Sequence, residues 1–199
     1  MGSIFRDFLS VFYGETMQIL IKTTSNDAAW RKIEETIKEK MSVQVGWFPQ
    51  ARYRGDDKKN TPVAMVACTQ EFGYAEGNIP PRPFMRPAAQ KHADDWAERF
   101  TRDIKTGDLK YALDNLGFMV EGDIRKAISE VWEPPLKKET IYARLRKHGW
   151  FNREKFSAKQ RKNRHAKLDK MVGSQEGIAK PLIDTGYMIE SVTHEVEHG

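Results

Sequence analysis

Cysteine is almost missing from this chain. One thiol in 199 residues, Cys68, cannot form an internal disulfide. That excludes the disulfide-stapled frameworks of small secreted domains and points to a reducing, intracellular origin. Cys68 is expected to act as a small buried apolar residue. Long apolar runs are missing too: none approaches the ~20 residues a bilayer span requires, so no membrane partner is expected. Phe5 to Tyr13 does not make a secretory leader, because Arg6, Asp7 and Ser10 interrupt it. No glycine-rich phosphate loop and no Ser–His or Cys–His arrangement is evident, and no cofactor is expected. The length suits one domain, or one domain with an appendage, and is enough to bury a sizeable core.

Two catalytic signatures stand near the C-terminus, and neither carries its chemistry. Asp184-Thr185-Gly186 spells the D-T-G of an aspartic protease. That mechanism needs two carboxylates about 3 Å apart sharing a proton, on a mostly β body. Here the triplet follows a largely helical chain and is succeeded by Tyr187 instead of a small residue. It reads more simply as a turn or helix start, with Asp184 capping free N–H groups. His194-Glu195-Val196-Glu197-His198 spells the zinc motif H-E-x-x-H, which requires a helix and a third ligand from beyond it. SVTHEV suits a short strand better. On a strand the two histidines share a face but lie ~13 Å apart. His92, His148 and His165 have no partner at ligand spacing, so no metal site and no catalysis are expected.

Along the chain, Thr16 to Thr23 alternates as a strand does. Ser25, Asn26 or Asp27 caps a helix with Trp30, Ile33, Ile37 and Met41 on one face. Val43 to Phe48 predicts a second strand, and Ala51 to Asn60 an exposed loop. Thr61 and Pro62 open a helix as N-cap and N1, running through VAMVACTQEF to Gly73. Prolines 80, 81, 83 and 87 then make Asn78 to Arg86 an extended, semi-rigid arm. Pro87 starts a helix with Ala89, Ala93, Trp96, Ala97, Phe100 and Ile104 on one face, ending near Gly107. A second helix carries Leu109, Leu113, Leu116, Val120, Ile124, Ala127 and Val131, and Pro134-Pro135 ends it. The two form an antiparallel pair.

Charge is unevenly spread. Lys137 to Lys170 holds thirteen lysines and arginines against Glu139, Glu154 and Asp169, an excess of ten. The whole chain is only +5, so the remainder is net acidic by five. KFSAKQRKNRHAKLDK has almost no apolar face and is expected to be a solvated helix or a disordered loop in the free protein. Trp150, Phe151 and Phe156 within this region either stack on bases or anchor the segment to the body, and the second reading is preferred. Lys159, Arg161, Lys162, Arg164 and Lys167 are the candidate contacts to an acidic partner or to nucleic acid. The fold class expected is α+β: a small β-sheet packed with a long antiparallel helix pair, plus the basic segment. Residues 1–136 would form the core, 137–179 an insertion, and 180–199 a turn and strand completing the core.

Three strings in order give the chain an identity. EFG (Glu71, Phe72, Gly73), IPPRPFMRPA (Ile79, Pro80, Arg82, Pro83, Phe84, Arg86, Pro87, Ala88) and KPLIDTG (Lys180, Pro181, Leu182, Asp184, Thr185, Gly186), with Ser191 beyond, resemble a family of tailed-bacteriophage minor structural proteins, the tail-completion or neck components of the head–tail joint. The resemblance covers about residues 40 to 195. It departs from the family in the basic stretch from Ile141 to Ala179, where a short connection is usual, and at Met188, where leucine is usual.

The resemblance implies a small α+β ring subunit, a hexamer, that closes the head-proximal end of the tail and joins it to the filled head. Location in the virion, and in the host cytoplasm during assembly, follows from it. Partners would be further copies of the chain and the adjoining connector and tail proteins, with DNA in the channel as a further contact. The interface residues expected on this basis are Phe72, Ile79, Pro80, Arg82, Pro83, Phe84, Arg86, Pro181, Leu182 and Asp184. Phe84 is expected to anchor the interface from a proline-stiffened arm, and Arg82 and Arg86 to pair with carboxylates across it. The alternative function is a nucleic-acid-binding protein that uses residues 137–170.

Overall fold

The computed structural model describes residues 41–53, 60–105, 108–147, 149–150, 154–173 and 180–198. The strand expected at Thr16 to Thr23 and the helix expected through Trp30, Ile33 and Ile37 lie outside these residues, as does Phe151. Met41, expected on that helix, instead opens strand β1, Met41–Gly46.

The described residues form an α+β fold of two strands and six helices. Helix α1 is Val63–Phe72, α2 Met85–Ile104, α3 Leu109–Glu130, α4 Lys138–Lys147, α5 Ala158–Gly173 and α6 Tyr187–Glu190; strand β2 is Thr193–His198. β1 and β2 pair antiparallel, from Met41 opposite His198 to Gly46 opposite Thr193. Side chains alternate across a strand. Met41, Val43 and Val196 therefore face the helices and pack on Ile104, Leu109, Ala112 and Leu113. Gln44, Glu195 and Glu197 face the other way, where Gln44 donates to Glu197 and Gln50 to Glu195.

Helices α2 and α3 run antiparallel, as expected. Trp96 donates to Asp123, and two turns closer to the connection Asn115 donates to Asp103. Asp108 caps α3 by accepting from the Tyr111 N–H. On the expected face of α2, Ile104 is buried and Ala89, Trp96, Ala97 and Phe100 are half-buried, but Ala93 is exposed, and Ala88 and Asp103 are buried instead. Asp103 tolerates that position because Arg99 and Asn115 both donate to it. The main core joins Val63 and Ala67 of α1, Phe84, Ile124 and Ile128 of α3, and Leu182, Met188 and Val192 of the C-terminal segment.

Two glycines answer close approaches. Gly73 ends α1 at φ +78°, and a Cβ there would stand 2.9 Å from the Pro81 nitrogen. Gly117 sits mid-helix in α3 because the His194 ring of β2 occupies the space a side chain would fill.

The basic segment is more ordered than its composition implied. In α4, Ile141 and Leu145 are one turn apart and buried, with Leu136, Tyr142 and Trp150 packed on them. Trp150 thus packs on α4, within the basic segment itself. Helix α5 has only exposed and half-buried positions where its side chains are described, which is the solvated helix expected.

Candidate assembly interface

The three strings that carried the resemblance converge on one junction. Glu71, in the last turn of α1, is buried at 2% exposure. One of its oxygens accepts from the backbone N–H groups of Phe84 (2.6 Å) and Met85 (3.0 Å). The other accepts from the Arg86 N–H (3.2 Å) and Arg86 Nε (3.0 Å). The free donors at a helix start, which prefer a negative charge, are therefore satisfied by a carboxylate from another helix. Phe84 itself offers no capping side chain. This is why α2 begins at Met85, two residues before the expected Pro87. Pro87 then falls within the first turn, where its missing N–H costs nothing.

Phe84 is a correction to the expected interface. It is 1% exposed and its ring meets Trp47 edge-on at 5.9 Å, inside the main core. An apolar ring so enclosed is a core residue of its own subunit and offers nothing to a neighbour. Arg82 is corrected likewise. At 5% exposure it donates to the carbonyls of Pro134 (2.8 Å) and Pro135 (3.3 Å) and to Gln70 (3.2 Å). Its donors are spent within the chain, and burial lowers its pKa, with Arg144 nearby adding to the effect. Pro181 and Leu182 are buried as well. Ile79 and Pro80 are half-buried, Ile79 pairing as a bridge with Tyr74. Of the interface residues expected on the arm only Pro83 and Arg86 are exposed, and Phe72 beside them is 43% exposed.

The KPLIDTG turn is held from inside the basic segment. Arg144 of α4 donates to the carbonyls of Lys180, Pro181 and Ile183, each at 2.9 Å, and lies 3.7 Å from the Asp184 carboxylate. Asp184 thus faces a guanidinium. Gly186, at φ +80°, takes the cap position of α6, and the Tyr187 N–H donates to the Thr185 hydroxyl. A cleft of about 190 Å³ adjoins this turn, with Tyr53 and Gln70 on its wall. Burial pushes the Tyr53 phenol above its ordinary value and Asp184 adds to the shift. Burial lowers the Arg144 pKa, partly offset by Asp184 and Tyr53.

The histidine motif is also resolved. His194 on β2 hydrogen-bonds Glu121 of α3 at 2.5 Å, and Arg125 pairs with the other Glu121 oxygen at 2.7 Å. His198 is exposed four residues on. No cluster of three metal-ligating side chains occurs among the described residues.

The five basic candidates on α5 divide. Lys159, Lys162 and Lys167 are exposed. Arg164 turns inward, 3.8 Å over the Phe156 ring and 5.0 Å over Trp150, and Arg161 donates to the Phe156 carbonyl. The aromatic faces that base stacking would use are thus partly covered by the protein's own arginine.

No helix among the described residues is long and apolar enough to cross a membrane. No family model, curated protein or solved structure matches the chain. Sequence reasoning missed the capping role of Glu71 and the grip of Arg144. The first had a signal in the unfilled cap position before Met85. The second had one in Ile141 and Leu145, whose spacing marks α4 as a docked helix.

Proposed function

We propose that this chain is a structural virion protein of a tailed phage. In this reading it is a tail-completion or neck subunit that assembles as a hexameric ring, closes the head-proximal end of the tail and joins it to the head, without catalysing a reaction. The observation that supports the reading is the convergence of the three strings. Glu71 of EFG caps the helix that follows IPPRPF, and Phe84 of that arm shares a core with Leu182 of KPLIDTG. These contacts give the three strings one shared structural reason, which supports reading them together. The role is proposed from the resemblance those strings carry. Depleting the chain from its phage tests it: filled heads and finished tails should accumulate unjoined, and normal joined particles would overturn the reading.

A second reading rests on Lys159, Lys162 and Lys167, which are exposed on α5. Such exposed charges suit phosphate contacts and make the chain a nucleic-acid-binding protein, in the channel or elsewhere. Its mark is DNA binding that weakens steeply with salt and is lost when the three lysines are replaced.

A further inference from the structure

Two exposed rows of charge have no ion-pair partner among the described residues of their own chain. The first is on α5, where Lys159, Lys162, Asn163 and Ala166 recur at i, i+3, i+4 and i+7, one face of a helix, with Lys167 at its flank. All five are exposed, and no hydrogen bond or ion pair engages the three lysine side chains among the described residues. The opposite face carries Arg161 and Arg164, which are taken up by the Phe156 carbonyl and by the Trp150 and Phe156 rings.

The second row lies on the sheet. The register puts Ser42, Gln44, Thr193, Glu195 and Glu197 on the face turned away from the helices. Glu195 and Glu197 are exposed. Each accepts an amide hydrogen bond, from Gln50 at 3.1 Å and from Gln44 at 2.9 Å, and neither meets a cation among the described residues. Neither strand carries a lysine or an arginine. Two carboxylates so placed stand about 7 Å apart along the strand and repel until a cation approaches.

The two rows fit each other. Lys159 and Lys162 are helix neighbours about 5–6 Å apart at Cβ, so two flexible ammonium groups can reach both carboxylates at once. The sixteen residues of α5 run about 24 Å, close to the ~20 Å of the six-residue strands. Within one chain α5 is held on α4: the Tyr142 hydroxyl donates to Asp169 at 3.1 Å, and its ring lies 5.3 Å from the His165 ring. The lysines are therefore presented to another molecule. A nucleic acid would answer the lysines alone, whereas a second copy of the chain answers both rows.

We infer that α5 of one copy lies across the outer face of the β1–β2 sheet of the next, with Lys159 and Lys162 meeting Glu195 and Glu197. Two different surfaces in contact make a head-to-tail interface, which yields a ring when the rotation closes. The inference rests on the ring reading and assigns its subunit contact to residues other than the arm. Exposed pairs of this kind set specificity and encounter rate, and salt screens them.

The test exchanges the charges in the full chain, with circular dichroism and melting to confirm the fold and mass photometry to read assembly. One variant carries Lys159→Glu and Lys162→Glu, a second Glu195→Lys and Glu197→Lys, and a third all four. Either reversal alone should raise the concentration needed for assembly at least tenfold. The four substitutions together, or the two reversed chains mixed, restore opposite charges at every contact and should return it to within about threefold of the wild type. Should the second variant melt early, Glu195→Gln with Glu197→Gln takes its place and should weaken assembly in the same direction. Reversals that assemble as the wild type does would overturn the inference and leave the ring reading standing. A four-substitution chain as weak as either reversal would overturn it too, and loss of salt-dependent binding to a DNA duplex in the lysine reversal would then give those lysines to nucleic acid. A wild-type chain that stays monomeric throughout would also overturn it, while the ring reading would still be judged by depletion in the phage.

Discussion

The Glu71 carboxylate accepts a 2.6 Å hydrogen bond from the Phe84 N–H, thirteen residues along the chain, and through it α1 fixes where α2 begins. Glu71→Ala should therefore cost about 3–5 kcal/mol, since it leaves buried donors and a charged partner unsatisfied. Glu71→Gln keeps the shape, loses the charge and should cost less. Urea unfolding of the two variants measures this; equal and small losses would show that the cap contributes little.

Phe84→Ala should destabilise the subunit itself. Removing a core ring costs about 3–5 kcal/mol. If denaturant melts instead show an unchanged midpoint with assembly lost, Phe84 is an interface residue after all.

Arg144→Ala should loosen the 180–186 turn, because three carbonyls lose their common donor. A loss of about 3 kcal/mol is expected from hydrogen bonds to a charged group. Hydrogen exchange should rise first in that turn. Unchanged protection there would mean that the turn holds without α4.

Cys68 should react slowly. Burial pushes its thiol pKa up, and the nearby Glu71 carboxylate adds to the shift. The thiolate is the reactive form, so a raised pKa leaves less of it at neutral pH. Iodoacetamide should modify the folded chain more slowly than free cysteine, with the rate still rising at pH values where a free thiol's has levelled. Glu71→Gln should move that profile toward lower pH. A rate matching free cysteine would contradict the prediction.

The α+β class, the helix pair and the C-terminal strand were legible because they rest on local signals. Leu109, Leu113 and Ile124 recur at helical spacing, and the β-branched SVTHEV favours a strand. The arm was misread because proline speaks only for backbone shape. Phe84 is buried because Glu71 draws the start of α2 against α1, a contact no local pattern contains. The basic segment was misread in part because its many charges hid Ile141 and Leu145, and because Arg144 is taken up by carbonyls and the Asp184 carboxylate of the chain's own C-terminal turn instead of by another chain. His194 falls on a strand as expected, but the commitment of its ring to Glu121 and to the space above Gly117 is another contact that no local pattern contains.

The measurement that bears most directly on the central claim is an electron cryomicroscopy map of the phage particle that carries this chain. The account predicts six copies of the fold in a ring at the head–tail joint, at the head-proximal end of the tail. A map whose joint is fully accounted for by other chains, with this fold elsewhere or nowhere in the particle, would contradict it.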